Sequence, residues 1–171
     1  MQKQLYSFSI AGFITIVVLG TLNHFLYALS GGHPLVGMIT PVNESVWEHL
    51  KLLYFPFMLF VVVEYIVYGR KIDGYLFSRF VGVLCGMMLI PIAFYVYTSV
   101  FGKSLVVLDI FIFVAAAAVT VYVGTKRIQN GSDEHKYVNL SGLILFIGVS
   151  ALFIGFTLNP PSSPLFTDFS R

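Results

Sequence analysis

Cysteine is all but missing from this chain. Cys85 is the only one and lies inside an apolar run, so no intramolecular disulfide can form and a cysteine-built zinc site is excluded. Charge is equally scarce, with Asp, Glu, Lys and Arg at 11% where a soluble domain carries roughly a quarter. The formal net charge of +2 is too small to suggest a nucleic-acid partner. Sequence repeats, low-complexity tracts and separate linker segments are also missing, which argues against the paired-repeat architecture of a transporter acting alone. What fills the sequence instead is apolar: 57% of the residues are hydrophobic and 16% aromatic, with a mean hydropathy of +0.86. The solvent of such a chain is lipid.

Five apolar runs stand out, at about Tyr6 to Leu29, Val46 to Tyr68, Phe77 to Val100, Leu105 to Gly124 and Val138 to Leu158. Each can cross about 30 Å of hydrocarbon as a helix rising about 1.5 Å per residue. Barrel strands are excluded because the runs are continuously apolar and lack alternation. The expected fold is therefore an all-α transmembrane bundle of five helices forming a single domain over residues 1–171. The first run is too long for a cleaved signal peptide and is interrupted by Asn23 and His24.

Lysine and arginine set the expected orientation. With the N-terminus inside, the cytoplasmic side holds Lys3, Arg70, Lys71, Arg79, Lys126, Arg127 and Lys136, and the outside holds Lys51, Lys103 and Arg171. Seven against three favours N-terminus in, C-terminus out. The short Gly102-Lys103 turn makes the third and fourth helices antiparallel neighbours. Gly82 and Gly86 form a small-xxx-small pattern, and Ser141, Gly148 and Gly155 recur every seven residues, both read as helix contacts. Pro56 and Pro91 are expected to kink their helices. The segment from Lys126 to Lys136 reads as a solvated loop, with His33 and His135 also in solvated loops. Glu64 reads as an interface anchor reaching Arg70 or Lys71 by snorkelling.

The remaining polar groups collect at one depth. His24 lies in the outer part of the first helix, Glu44, Glu48, His49 and Lys51 at the outer end of the second, and Asp109 about one turn inside the fourth. Asn23, Asn43 and Asn159 sit at similar depth, and the tail brings Asp168. Charges near hydrocarbon cost at least about 2.5 kcal/mol when unpaired, so they face the bundle interior or a wet cavity. An outward-opening polar pocket follows as the expected site, with His24, Asn43, Glu44, Glu48, His49 and Asp109 as ligand-binding residues. Tyr27, Tyr54, Tyr95 and Tyr97 are available as walls, and two segments, Ser30 to Pro41 and Asn159 to Asp168, as covers.

The densest stretch is Pro41-Val42-Asn43-Glu44-Ser45-Val46-Trp47-Glu48-His49-Leu50-Lys51. Part of it has a purely structural reading: Ser45 with Glu48 three residues on is a capping box, Trp47 suits the aromatic belt, and Glu44 complements the helix dipole. Glu44, Glu48 and Lys51 share a helical face, so a carboxylate–lysine pair is expected. His49 is left unexplained. Zinc takes three or four nitrogen and oxygen donors, and His24, His49, Glu44 or Glu48, and Asp109, drawn from three helices, could supply them, with His24, His49 and Asp109 as the candidate metal set. In that case Glu44 or Glu48 is the candidate general base of a hydrolase acting on a lipid or amide. No His-Glu-x-x-His or other local ligand pair is present.

The stretch Pro41 to Lys51, with the Pro-Pro-x-x-Pro-Leu-Phe-x-Asp tail from Pro160 to Asp168, resembles an uncharacterised domain-of-unknown-function family of small bacterial membrane proteins. The resemblance implies a multi-pass protein of the bacterial inner membrane and no particular activity. The layout is also similar to seven-helix hydrolases of the alkaline ceramidase kind, which hold zinc through histidines and an aspartate near one membrane face. This chain has fewer helices and lacks their paired histidines. Three functions remain open: a pocket for a small molecule, lipid headgroup or ion; a metal-dependent intramembrane hydrolase; and a non-catalytic membrane subunit or assembly partner.

Overall fold

The computed structural model describes residues 2–131 and 137–169. Five long helices carry these residues: α1 (Gln2–Leu29), α3 (Val46–Val67), α4 (Tyr75–Phe101), α5 (Val106–Gln129) and α6 (Val138–Leu158), with a single-turn α2 (Pro34–Gly37) after the first. Short 3-10 turns occupy Gly69–Lys71 and Pro164–Phe166. All five long helices are long and apolar enough to cross a membrane. Helix α5 runs past the expected boundary at Gly124 to Gln129, because a helix does not stop where hydropathy falls: Lys126 and Arg127 in its last turn complement the dipole. Residues 126–129 of the loop expected at 126–136 are thus helical, while residues 132–136, His135 among them, lie outside the described residues.

Helix α4 is the hub, packing on α3, α5 and α6, and α1 lies against α3 and α5. Gly102, at φ 70°, ends α4 and lets the chain turn straight into α5. The two helices then run in the most extensive contact of the bundle. Gly82 and Gly86 permit it: a Cβ on Gly82 would collide with the Thr120 carbonyl, and one on Gly86 would lie 2.7 Å from the Ala116 carbonyl. The expected stripe on α6 behaves differently. Gly148 and Gly155 have open space around them, and the α6 glycine that meets a neighbour is Gly142, against the backbone of Leu76 and Phe77. Gly142, Phe146 and Phe153 are the buried residues of α6, so its packed face is theirs. Helices α3 and α4 run unbroken through Pro56 and Pro91.

Glu64 is not an interface anchor. Its carboxylate is fully buried and 2.5 Å from the Arg79 guanidinium, and it also accepts the Tyr75 hydroxyl. Arg79 further donates to Thr125 at 3.0 Å, Thr125 shares a 2.7 Å hydrogen bond with Ser9, and Ser9 donates to the Leu5 carbonyl. Each hydroxyl has one proton, so the chain runs in one direction from Arg79 through Thr125 and Ser9 to Leu5. With Glu64 on α3 bound to Arg79, this relay ties four helices together. Arg70, the partner expected for Glu64, instead donates to the Ile66 carbonyl at 2.8 Å.

Candidate polar site at the His24 end of the bundle

The turn entering α3 is built by local hydrogen bonds that also dispose of several candidate residues. Ser45 caps α3, its hydroxyl accepting from the Glu48 amide at 3.3 Å. The reciprocal half of the capping box does not form. Asn43 Oδ1 takes the Ser45 amide at 3.0 Å, and the Glu48 carboxylate takes the Val42 amide at 3.0 Å. Glu48 is buried, lies 2.6 Å from Lys51 Nζ and meets the Thr157 hydroxyl at 2.9 Å. Lys51 spends its other protons on the carbonyls of Gly37 at 2.8 Å and Thr40 at 3.2 Å. The Glu48–Lys51 pair therefore clamps the 37–42 segment and α6 onto α3, and the base expected at Glu48 is turned into that clamp. Asn23 helps from α1, donating to the Ile39 carbonyl at 3.0 Å.

One helical residue further on, the environment changes. His49 Nδ1 is 2.9 Å from the Ser45 carbonyl. A carbonyl only accepts, so Nδ1 carries the proton and the ring is fixed with Nε2 pointing away from the helix. Nε2 lies 3.3 Å from Glu44 Oε2. The hydrogen bond with His49 holds the Glu44 carboxyl below the usual range; the charges of His49 and His24 add to this, against partial burial and the nearby Asp168. From α1, His24 brings its ring to 5.3 Å from that of His49, centroid to centroid. Its Nδ1 is shut off from solvent and has no hydrogen-bond partner among the described residues. One donor atom each from His24, Glu44 and His49 lie within 4.8 Å of one another.

Glu44 and His49 also face a cavity of about 190 Å³. Its other polar walls are Ser104 and Asp109, and its apolar walls include Leu52, Ile90, Phe94, Ile112 and Phe113. Asp109 is oriented by Tyr97 and by Ser104 at 3.3 Å, while Tyr97 also accepts the Leu105 amide at 3.2 Å. Of the expected metal donors, His24, His49 and Glu44 come together, while Glu48 is turned away to Lys51 and Asp109 lines the cavity outside that group. Asn43 and Glu48 are not lining residues.

The two segments expected as covers divide the work. The tail crosses back over this end: Phe166 packs on Trp47 at 5.1 Å and on Phe156 at 5.6 Å, and Phe169 packs on Phe94 at 5.2 Å and enters the cavity wall. Trp47 is therefore not a belt residue but the centre of an aromatic stack with Phe153, Phe156 and Phe166. The 30–41 segment lines none of the cavity. Ser104 and Phe169 are site residues that hydropathy and ligand chemistry alone passed over. None of Tyr27, Tyr54, Tyr95 and Tyr97, the tyrosines expected as walls, lines the cavity, and Tyr54 is committed to the core, its hydroxyl donating to the Phe146 carbonyl at 2.5 Å.

Taken together, these features define a membrane-spanning helical protein with imidazole and carboxylate groups gathered at one end of the bundle. The chain belongs to the Family of unknown function (DUF6512), whose profile covers residues 1–170. No curated protein and no solved structure matches it.

Proposed function

We propose that this protein binds an amphipathic small molecule or lipid headgroup in an outward-facing cavity, with its N-terminus in the cytoplasm. The observation that carries the reading is the division of the cavity walls. Glu44, His49, Ser104 and Asp109 supply a polar end, and Ile90, Phe94, Ile112, Phe113 and Phe169 an apolar one. A volume of about 190 Å³ falls below the roughly 300–1,000 Å³ of pockets that engulf a drug-sized ligand. The space suits a headgroup or a short chain, with the rest of the molecule left in the bilayer. Two carboxylates beside one imidazole favour a cationic head when no metal is present.

The test uses purified protein stripped of metal with a chelator, a short-chain alkylamine, the matching alcohol as a neutral control, and thermal unfolding as the readout. The amine is expected to raise the melting temperature more than the alcohol, and Ile112→Trp, which fills the cavity, is expected to abolish the difference. Equal stabilisation by both ligands, or a response unchanged in Ile112→Trp, sinks the reading.

A second reading rests on α6. Gly148 and Gly155 stand on a face with open space around them, which supports a role as a membrane subunit that packs a partner helix there.

A further inference from the structure

We propose that His24, Glu44 and His49 bind one divalent transition-metal ion of the zinc class, with the ion's open position facing the Asp109 cavity. Three geometric observations carry this. First, His49 Nε2 and Glu44 Oε2 are 3.3 Å apart. Two donors each about 2.05 Å from a tetrahedral ion stand about 3.3 Å apart, so this pair already has the span of one edge of a zinc site. Second, the hydrogen bond from His49 Nδ1 to the Ser45 carbonyl is the outer contact that metal-binding histidines make through their other nitrogen. With Nδ1 donating, Nε2 and the Glu44 carboxylate need a cation between them, and a metal ion fills that place as a proton on Nε2 does. Third, His24 Nδ1 is closed off from solvent with no partner among the described residues, although its ring lies against that of His49. A bound ion gives Nδ1 the partner that no hydrogen bond among the described residues supplies.

Two imidazoles and one carboxylate form a mixed nitrogen and oxygen set, suited to zinc and its neighbours rather than to magnesium or calcium. A set of three protein ligands leaves a position for water or substrate. Glu44 and His49 line the cavity, so that position opens towards Asp109. An ion there would polarise an oxygen of the ligand. It would also reverse the preference for charge, so that an anionic head, phosphate or carboxylate, replaces the cationic one. Only this last point rests on the cavity reading above.

The experiment takes the full chain, purified in detergent with an affinity tag free of histidine, and titrates it with zinc and with cobalt(II). One zinc per chain is expected, with cobalt giving the intense visible bands of a tetrahedral site. His24→Ala and His49→Ala are expected to weaken zinc by at least about 100-fold, and Glu44→Gln to weaken it while keeping the side-chain shape. His33→Ala, in the loop, should bind as the parent does. Thermal unfolding of each variant without metal confirms that it is folded. A parent chain with no saturable zinc site overturns the proposal and leaves a proton as the cation between His49 and Glu44. Zinc held as tightly by folded His24→Ala and His49→Ala as by the parent also overturns it. Ile112→Trp separates the two readings, since it is expected to lose amphiphile binding and keep zinc.

Discussion

Glu64 and Arg79 are both fully buried, and neither has water to turn to when the other is removed. Glu64→Ala leaves a guanidinium enclosed among α3, α4 and α5, for an expected loss of about 3–5 kcal/mol of stability. The double variant Glu64→Leu with Arg79→Met removes both charges and is expected to recover most of that loss. Chemical unfolding in detergent, comparing the two, is the measurement; a double variant as unstable as the single one would show that the hydrogen-bonded relay to Thr125 and Ser9 matters more than the charges. The pairing itself was hidden in the sequence. Arg70 and Lys71 are nearer to Glu64 along the chain, but the turn after Val67 lays α4 back along α3 and delivers Arg79 to it. By contrast, Lys51 with Glu48 was legible, because an i,i+3 spacing places both on one face whatever the tertiary fold.

Depth along a helix follows from counting residues, and direction around it does not. That difference explains what could be read of the elements and of the site. Five spans were evident because an apolar run of hydrocarbon length needs no tertiary information. His24, His49 and Asp109 were likewise expected near one end, since their distance from a helix terminus sets their level. Azimuth required the neighbours: Glu48 turns to Lys51, Asp109 to Tyr97 and Ser104, and Glu44, from the turn before α3, joins the histidines. Small residues carry the same ambiguity, because they occur on packed faces and on lipid faces alike. Gly86 and Gly148 therefore make a sharp comparison. Gly86→Ala is expected to destabilise by about 1–3 kcal/mol, because α4 and α5 cannot both keep their backbones where they are. Gly148→Ala meets nothing within 4 Å and is expected to leave the monomer unharmed or to stabilise it by up to about 1 kcal/mol through helix propensity. Unfolding of both variants in detergent reads this directly. If α6 docks a partner, Gly148→Leu will leave that stability intact while breaking the assembly, seen as a loss of the larger species on size-exclusion chromatography.

At the scale of the whole molecule, burial sharpens the case for orientation. Lys51 and Arg79 are each enclosed and paired with a carboxylate, so neither acts as a free cation on a membrane surface. Setting both aside leaves, among the described residues, Lys3, Arg70, Lys71, Lys126 and Arg127 at one end against Lys103 at the other, a stronger bias than seven against three. The polar cavity and the tail that closes it lie at the sparsely charged end, which is therefore expected outside. Cysteine labelling tests this in intact cells, in a Cys85→Ser background. Ser163 is exposed in the tail and Asn130 is exposed just after α5, so each can carry a single reporter thiol. A membrane-impermeant maleimide is expected to label Ser163→Cys directly and Asn130→Cys only after the membrane is opened. The reverse pattern would place His24, Glu44 and His49 on the cytoplasmic side, where zinc is tightly buffered, and would turn the cavity towards ligands of the inner leaflet. With the expected pattern the site meets whatever metal and amphiphile the exterior provides, and Phe169, near the end of the chain, is the side chain those ligands must displace or pack against.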